Sequence, residues 1–288
     1  MARRRYTIDL AHGGSLELGR RTLVMGILNV TPDSFSDGGR FADAGQALAH
    51  ALELEAEGAD LIDIGGETTR PGAEPIDPGE ERRRGVPVIE RLAGRLRIPI
   101  SVDTTRAEVA RDALRAGAAL INDISGLLYD PALAGVAAAH GAPMVLMHMR
   151  GRPRDMYREA VYGDVIAEVA AELGEAIARA QAGGLTREAV ILDPGIGFAK
   201  RAGHSWRVLA GLDAPAFAAL DRPWLAGPSR KSFLTTAAGD LGPEDRDWAT
   251  AGAVTAAILA GAHIVRVHRV AGLVQAVRVA DEVARTRA

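Results

Sequence analysis

Eight short apolar runs return along the chain at a nearly regular interval, and this recurrence limits the available folds more than any other feature. The runs are Leu23–Val30, Ala59–Gly65, Ile98–Asp103, Leu120–Ile124, Pro143–His148, Ala189–Asp193, Trp224–Gly227 and His263–His268. Most show no polar alternation, which is the pattern of parallel strands covered on both faces. Stretches of helical period lie between them, among them Ala44–Glu57, Glu80–Leu96, Arg106–Ala116, Val165–Ala182 and Trp248–Ala260. Several stop at a glycine, as at Gly58, Gly117, Gly183 and Gly261, where a left-handed C-cap lets the chain turn back. From Asn29 to Arg266 the repeat averages about 34 residues, the length of a strand plus its crossover helix.

Eight such units in 288 residues predict a (β/α)8 TIM barrel spanning 1–288 as a single domain. An open doubly wound sheet is the rival arrangement, but it usually has fewer strands. Ahead of the first run, Tyr6–Gly19 alternates around Gly13-Gly14 and reads as a β-hairpin capping the barrel's N-terminal end. The Pro- and Gly-rich stretch 70–79 reads as a loop within the barrel. A net charge of −3 lacks the concentrated basic surface of a nucleic-acid binder. Arg3-Arg-Arg5 is basic, but no apolar signal core follows it, and no run reaches membrane-spanning length. The absence of cysteine rules out disulfides, thiolate metal sites and a Cys nucleophile, and makes the cytoplasm the expected location.

In such barrels chemistry gathers at the C-terminal ends of the strands, so the last residues of each run carry the information. They are Asn29, Asp63, Asp103, Asn122, Met147 with His148, Asp193, Ser229 with Lys231, and Arg266 with His268. Each Asp alone reads equally well as a helix N-cap; Asp103 before Thr104-Thr-Arg106 is one case. Capping does not account for the whole ring, because like charges crowd together only at a cost.

The ring divides by charge. Asp63, Asp103, Asn122 and Asp193 offer acceptors, Asn122 adds amide donors, and Lys231 can meet a ring carbonyl or ring nitrogen, a set suited to a flat, nitrogen-rich heterocycle. Arg70, Arg230, Arg266 and His268 form a cationic part, although each Arg alone also reads as a solvated rim charge. Arg266 and His268 alternate along one strand and so face the same side. The stretch 228–233 leads out of strand seven towards a helix whose free N–H groups attract anions. One pocket thus holds a heterocycle beside a phosphate or pyrophosphate.

Met25-Gly-Ile-Leu-Asn-Val-Thr-Pro-Asp-Ser-Phe-Ser-Asp-Gly-Gly39 resembles the N-terminal signature of the dihydropteroate synthase family. Asp60-Leu-Ile-Asp-Ile-Gly-Gly-Glu-Thr-Thr-Arg-Pro-Gly72, Ser101-Val-Asp-Thr104, Ile121-Asn-Asp123 and Met147-His-Met149 are similar to its later motifs, as are Asp193-Pro-Gly-Ile-Gly-Phe198, Ser229-Arg-Lys-Ser-Phe233 and Arg266-Val-His268. The set runs in family order. The resemblance implies a transferase that condenses 6-hydroxymethyl-7,8-dihydropterin diphosphate with para-aminobenzoate, giving 7,8-dihydropteroate and pyrophosphate in folate biosynthesis. It implies that Asp63, Asp103, Asn122, Met147, Asp193 and Lys231 hold the pterin, although Met147 also reads as plain core. Asn29, Arg70, Arg266 and His268 would hold the diphosphate, with Asn29 also a magnesium ligand. Phe35, Thr69, Arg70, Pro71, Phe198 and Ser229 would line the para-aminobenzoate pocket, which sulfonamides contest in this family. The chemistry would fall to Asn29, Asp103, Lys231, Arg266 and His268. The polar segment from Thr31 to Gly39 and the second loop, Thr68 to Ala73, resemble the family's two mobile loops, which close over the site and shield it from water.

Three positions depart from the family's commonest pattern. Arg269 stands where Asp is frequent, Ala199 replaces a frequent Gly and stiffens its surroundings, and Ser205 stands where Asn is usual, with a capping role still open to it. Two other readings exist: a related barrel that passes a methyl group from methyltetrahydrofolate to a corrinoid, and a pterin-binding paralogue without catalysis. His148 and His268 lack the spacing of a zinc enzyme. The family pairs as homodimers, for which the small-residue stretch Thr250–Ala260 is available, although such a stretch packs equally well on its own barrel.

Overall fold

The computed structural model describes residues 3–30, 39–70 and 72–287. Phe35 and the rest of the first loop up to Gly38, and Pro71 in the second, lie outside the described residues. The chain opens with an antiparallel hairpin, β1 (Tyr6–Asp9) and β2 (Ser15–Leu18), turning at Gly13-Gly14. Strand and helix then alternate: β3 (Leu23–Asn29), α1 (Gly39–Ala56), β4 (Leu61–Gly65), α2 (Pro78–Leu92), β5 (Ile100–Asp103), α3 (Ala107–Ala116), β6 (Leu120–Asp123) and α4 (Ala132–Ala139). They continue through β7 (Met144–Met147), α5 (Val165–Ala182), β8 (Val190–Asp193), α6 (Ala202–Ala210), α7 (Pro215–Ala218), β9 (Leu225–Ala226), α8 (Thr235–Ala238), α9 (Asp247–Leu259), β10 (Ile264–Val267) and α10 (Val270–Thr286).

The eight later strands are all parallel, in the order β8-β7-β6-β5-β4-β3-β10-β9, and a bridge between Leu192 and Trp224 joins the two outer strands. The sheet is therefore a closed barrel. The doubly wound alternative fails because it would leave two free edges. β9 is short because Pro223 and Pro228 stand on either side of it, and proline offers no N–H to a ladder.

Helix ends follow local chemistry. Asp77 accepts from the Gly79 N–H at 2.8 Å, with Pro78 in the first turn of α2, and Asp164 accepts from the Ile166 and Ala167 N–H groups at the start of α5. Gly58, Gly117 and Gly261 adopt the left-handed conformation expected after α1, α3 and α9. Gly183 does not. Its φ is −81°, and Gly184 makes the turn instead. A Cβ on Gly183 would stand 2.5 Å from the Cβ of Ala134, so this glycine permits close packing of α5 on α4.

The barrel has two inner levels. The lower is apolar: Leu23, Met25, Leu61, Leu120, Val145, Ile191, Leu225 and Ile264 meet Ile8, Leu16 and Leu18 from the hairpin. The Ala11 N–H donates to the Ala119 carbonyl at 3.1 Å, so the hairpin closes the N-terminal end as expected. Each of these side chains contributes roughly 1.5–3 kcal/mol by leaving water. Alternate residues such as Val24, Ile62, Val102, Leu146 and Val265 face outward and pack under the helices. Among the described residues no helix is long and apolar enough to cross a membrane.

Candidate active site

At the upper level the same strands change character. Side-chain period two carries β4 from Leu61 to Asp63, β6 from Leu120 to Asn122, β8 from Ile191 to Asp193 and β10 from Ile264 to Arg266. These groups meet at one mouth. The Arg266 Nε donates to Asp63 Oδ2 at 2.6 Å and its Nη2 to Asp103 Oδ2 at 2.9 Å. The Asn122 amide donates to the same Asp63 oxygen at 2.8 Å. Asp63 is sealed from solvent, yet its Oδ1 has no partner. A buried, unpaired carboxylate oxygen is costly and marks a place where a ligand donor is missing.

Gly65 and Gly227 tie the remaining groups to this ladder. A Cβ on Gly65 would lie 3.6 Å from Asp103 Oδ2 and 3.8 Å from Asn29 Oδ1. A Cβ on Gly227 would lie 3.9 Å from Asp193 Oδ2, 4.0 Å from the Lys231 Nζ and 3.8 Å from the Arg266 Cβ. Lys231 donates to the Ile196 carbonyl and stands 4.1 Å over the Phe198 ring. Met147 and Phe198 belong to an apolar wall with Ile124, Met149, Met156, Ala199 and Tyr129. A cavity of about 350 Å³ opens beside Asp103, lined by Thr68 and Thr69 of the second loop, Arg106, Tyr129 and Arg152. A larger hollow of about 990 Å³ lies at the opposite end between hairpin and helices, where Arg21 and Asp60 already pair with each other.

Crowding shifts the titrations. Burial, then the charge of Asp63, pushes Asp103 up to about 8 against the pull of Arg266. Burial lowers Lys231 to about 7, with Asp193 opposing and Arg266 assisting. Asp193 is raised by burial, against Lys231, the Gly195 N–H at 2.7 Å and Lys200.

The structure corrects several expectations. Burial and the charges of Arg266, Arg230 and Arg70 lower His268 to about 3, which works against the positive charge expected of it. Its Nδ1 lies 3.0 Å from the Ser229 hydroxyl, whose oxygen also accepts the His268 backbone N–H at 3.2 Å. Arg230 leaves the cationic part, because its left-handed backbone (φ 58°) sends the guanidinium to Asp247, 2.9 Å away. The segment after Ser229 gives only a 3-10 turn at Ser232–Leu234 and one turn of helix at Thr235–Ala238, far less than the anion-attracting helix end expected. His148 faces outward to Glu172 on α5, as alternation from Met147 requires. Ser205 is no cap: it lies inside α6 and accepts the Gly197 N–H at 3.2 Å. Arg269 makes no capping bond at the start of α10 and lies 3.6 Å from Asp247.

Sequence reasoning passed over Lys200, which is 1% exposed and bonded to His148 directly behind the site. A signal was present. Of the 34 Lys and Arg residues only two are Lys, at 200 and 231.

The family described as pterin binding enzyme matches residues 25–268. A dihydropteroate synthase of Synechocystis is 49% identical over 263 residues, covering 91% of this chain and 90% of that protein. Among solved structures, Xanthomonas albilineans dihydropteroate synthase with 4-aminobenzoic acid superposes with a TM-score of 0.89 at 43% identity, covering 97% of this chain and 98% of that one. The Yersinia pestis dihydropteroate synthase with a sulfonamide drug complex gives 0.86 at 42% identity, covering 94% and 97%. With its barrel closed and its strand ends converging on one charged mouth, this chain belongs to the pterin-binding enzyme family, among the dihydropteroate synthases.

Proposed function

We propose that the chain transfers the pterin methylene of 6-hydroxymethyl-7,8-dihydropterin diphosphate to the amine of para-aminobenzoate, releasing pyrophosphate. The observation that carries this reading is the ladder Asn122–Asp63–Arg266–Asp103 with its unpartnered Asp63 oxygen. That free oxygen is an acceptor waiting for an N–H group of a flat ring. Asp193 and Lys231 complete the ring's edge, and Met147 lies under its face. Asn29, Arg70, Arg266 and His268 take the diphosphate. Thr69, Phe198 and Ser229, with Phe35 and Pro71 from the loops, form the aminobenzoate side, where sulfonamides compete.

Charge dictates the route. Breaking the C–O bond leaves pyrophosphate negative and the methylene cationic. Arg266 faces the departing anion while the Asp63 carboxylate stabilises the positive ring and Asp103 Oδ2 holds the Arg266 guanidinium in place, groups already fixed before reaction. The aryl amine is a weak nucleophile and adds after departure, so the step is SN1-like. A carbon isotope effect typical of associative displacement would defeat that part. The Asn29 amide oxygen and Asp103 Oδ2, each within 4 Å of where a Cβ on Gly65 would stand, are the oxygen donors a hard cation accepts, so the residues fit magnesium. When bound, magnesium supplies positive charge against the leaving pyrophosphate.

The enzyme works in the cytoplasm as a homodimer. The small-residue stretch Thr250–Ala260 packs inward through Thr250, Ala253, Val254 and Ala257, which leaves the outward face of α9, headed by the 90% exposed Trp248, to meet a second copy. A coupled assay of pyrophosphate release with both substrates, with and without magnesium, tests the activity. Background turnover by folded protein would leave a ring-binding protein without catalysis. Phe35→Ala tests the first loop, raising the apparent constant for para-aminobenzoate about ten-fold more than that for the pterin diphosphate.

A further inference from the structure

Both lysines of this arginine-rich chain address one loop, from opposite sides. Lys231 reaches the Ile196 carbonyl from within the barrel. Lys200 comes from behind: its Nζ stands 2.8 Å from His148 Nδ1, 3.1 Å from the Gly195 carbonyl and 3.2 Å from the Phe198 carbonyl. Three acceptors match the three protons of an ammonium, whereas a neutral amine would leave one unmet. His148 is buried too, and its Nε2 lies 3.0 Å from Glu172 Oε2. The ring therefore donates through Nε2 and presents the Nδ1 lone pair to Lys200. Glu172 also receives Arg150, which bonds Glu168 at 2.8 Å and lies 4.1 Å over the Tyr162 ring. Charges alternate outward from Lys200 to Glu168, with neutral His148 as the link.

A full-length lysine side chain is rarely buried without a task. None of these groups enters the mouth, so the task lies in the loop between them. A Cβ on Gly195 would stand 2.1 Å from the His148 carbonyl and 3.3 Å from the Lys200 Nζ, so the loop is pressed against this network. Its first residue, Asp193, has Lys231 on the barrel side and Lys200 behind. Burial pulls Lys200 well below the usual lysine range, and Asp193 is the largest charge opposing that pull. Arginine serves every other cationic position except 231, but a planar fork cannot direct three donors tetrahedrally.

We propose that Lys200, His148 and Glu172 form a positioning relay behind the ring pocket: the Lys200 ammonium backs the Asp193 carboxylate and pins the Gly195 and Phe198 carbonyls, while Glu172, through His148, keeps that ammonium charged. The inference rests on Asp193 being the acceptor for the pterin edge. The groups facing Asp193 are Lys231, Lys200 and Arg266, with Asp63 and Asp103 beyond Arg266; those facing Lys200 are Asp193, Lys231, Glu172 and Arg150.

The test is calorimetric binding of the pterin diphosphate, without para-aminobenzoate, from pH 5 to 9. Lys200→Met fills similar volume without charge; it lowers affinity about 10- to 100-fold at pH 7 and moves the acid limb of the affinity curve to higher pH by about one unit. The other carboxylates of the mouth are the same in both proteins, so the difference isolates Asp193. Glu172→Gln, on the half-buried outer side, moves the limb the same way by less and adds nothing to Lys200→Met. Because only two lysines exist, 13Cε-lysine labelling resolves each, and Lys200 titrates at lower pH in Glu172→Gln than in the parent. Parent-like binding in Lys200→Met, a loss equal at every pH, or an unmoved Lys200 resonance in Glu172→Gln overturns the relay. If Lys200→Met fails to fold, the Glu172→Gln limb and resonance decide. Failure of the functional reading looks different: the parent itself neither binds the pterin diphosphate nor turns it over.

Discussion

Along β4 a step of two residues leads from Leu61 to Asp63, and the same step takes β8 from Ile191 to Asp193 and β10 from Ile264 to Arg266. The lower residues lie in an apolar layer sealed by the hairpin; those one pleat higher, roughly 6.5 Å away, join Asp103 and Lys231 to crowd three carboxylates among two cations. At the closed end the layer is apolar side chains, which need no partner from outside. The open end keeps an unpartnered Asp63 oxygen, an Asp103 carboxyl raised to about 8 and a Lys231 amine lowered to about 7. Stability and chemistry are thus one pleat apart in the same strands, and single substitutions should separate them.

The sharpest separation comes at Lys231. Lys231→Met should lower kcat/KM by at least about 1000-fold, the scale of a lost preorganised donor. Its unfolding free energy should stay within about 1 kcal/mol of the parent's, because a cation already pushed towards neutrality by burial gives little to the fold. Steady-state kinetics and urea unfolding check both halves; a large stability loss would merge the two ends. The mirror-image substitution is Met25→Ala, at 0% exposure in the closed layer. It should cost about 2–5 kcal/mol and leave both Michaelis constants within about two-fold.

Much of this division was legible in the sequence, for a physical reason. Parallel strands under helices are apolar on both faces, so the runs stand out, and the barrel rule then names their last residues as the mouth. Direction was harder to read. His148 follows Met147, but alternation turns it to Glu172; Arg230 adjoins Lys231, but its left-handed backbone turns it to Asp247. Ser205 stands where a cap is expected, yet it holds the Gly197 N–H from inside α6. Each of these depends on where the chain bends after the strand, which residue type alone does not set. Lys200 lies on no strand end, and its only trace was the rarity of lysine in a chain that otherwise uses arginine.

A smaller effect separates the ends by pH. Asp103 binds its proton more tightly folded than unfolded, so its contribution is fully present at low pH and is lost as pH rises from about 4 to about 8. Asp103→Asn cannot ionise. Relative to the parent, the ligand-free variant should gain stability steadily across that window and level off above it, while activity falls. Melting temperatures at pH 4, 6, 8 and 9 show the trend. A gap that does not change with pH would mean that Asp103 is ionised throughout and belongs energetically with the fold.

The smallest effect sharpens the comparison most, because it uses the same chemical change at both ends. Ala199 is buried in the methionine-rich wall with φ at 46°, and its carbonyl accepts the Tyr162 hydroxyl at 2.8 Å. A left-handed alanine costs about 1–2 kcal/mol. Ala199→Gly removes that strain but gives up a buried methyl, about 0.8 kcal/mol, and frees the unfolded chain by about 0.5–1 kcal/mol. The effects nearly cancel, so the melting temperature should shift by no more than about 2 °C. At the closed end Ala119 packs in the hairpin layer without positive φ, and Ala119→Gly has no strain to relieve. That variant should lose about 1–2 kcal/mol. Equal losses at the two positions would show that the open end carries no backbone strain, leaving its side-chain charges as the sole difference between the two levels.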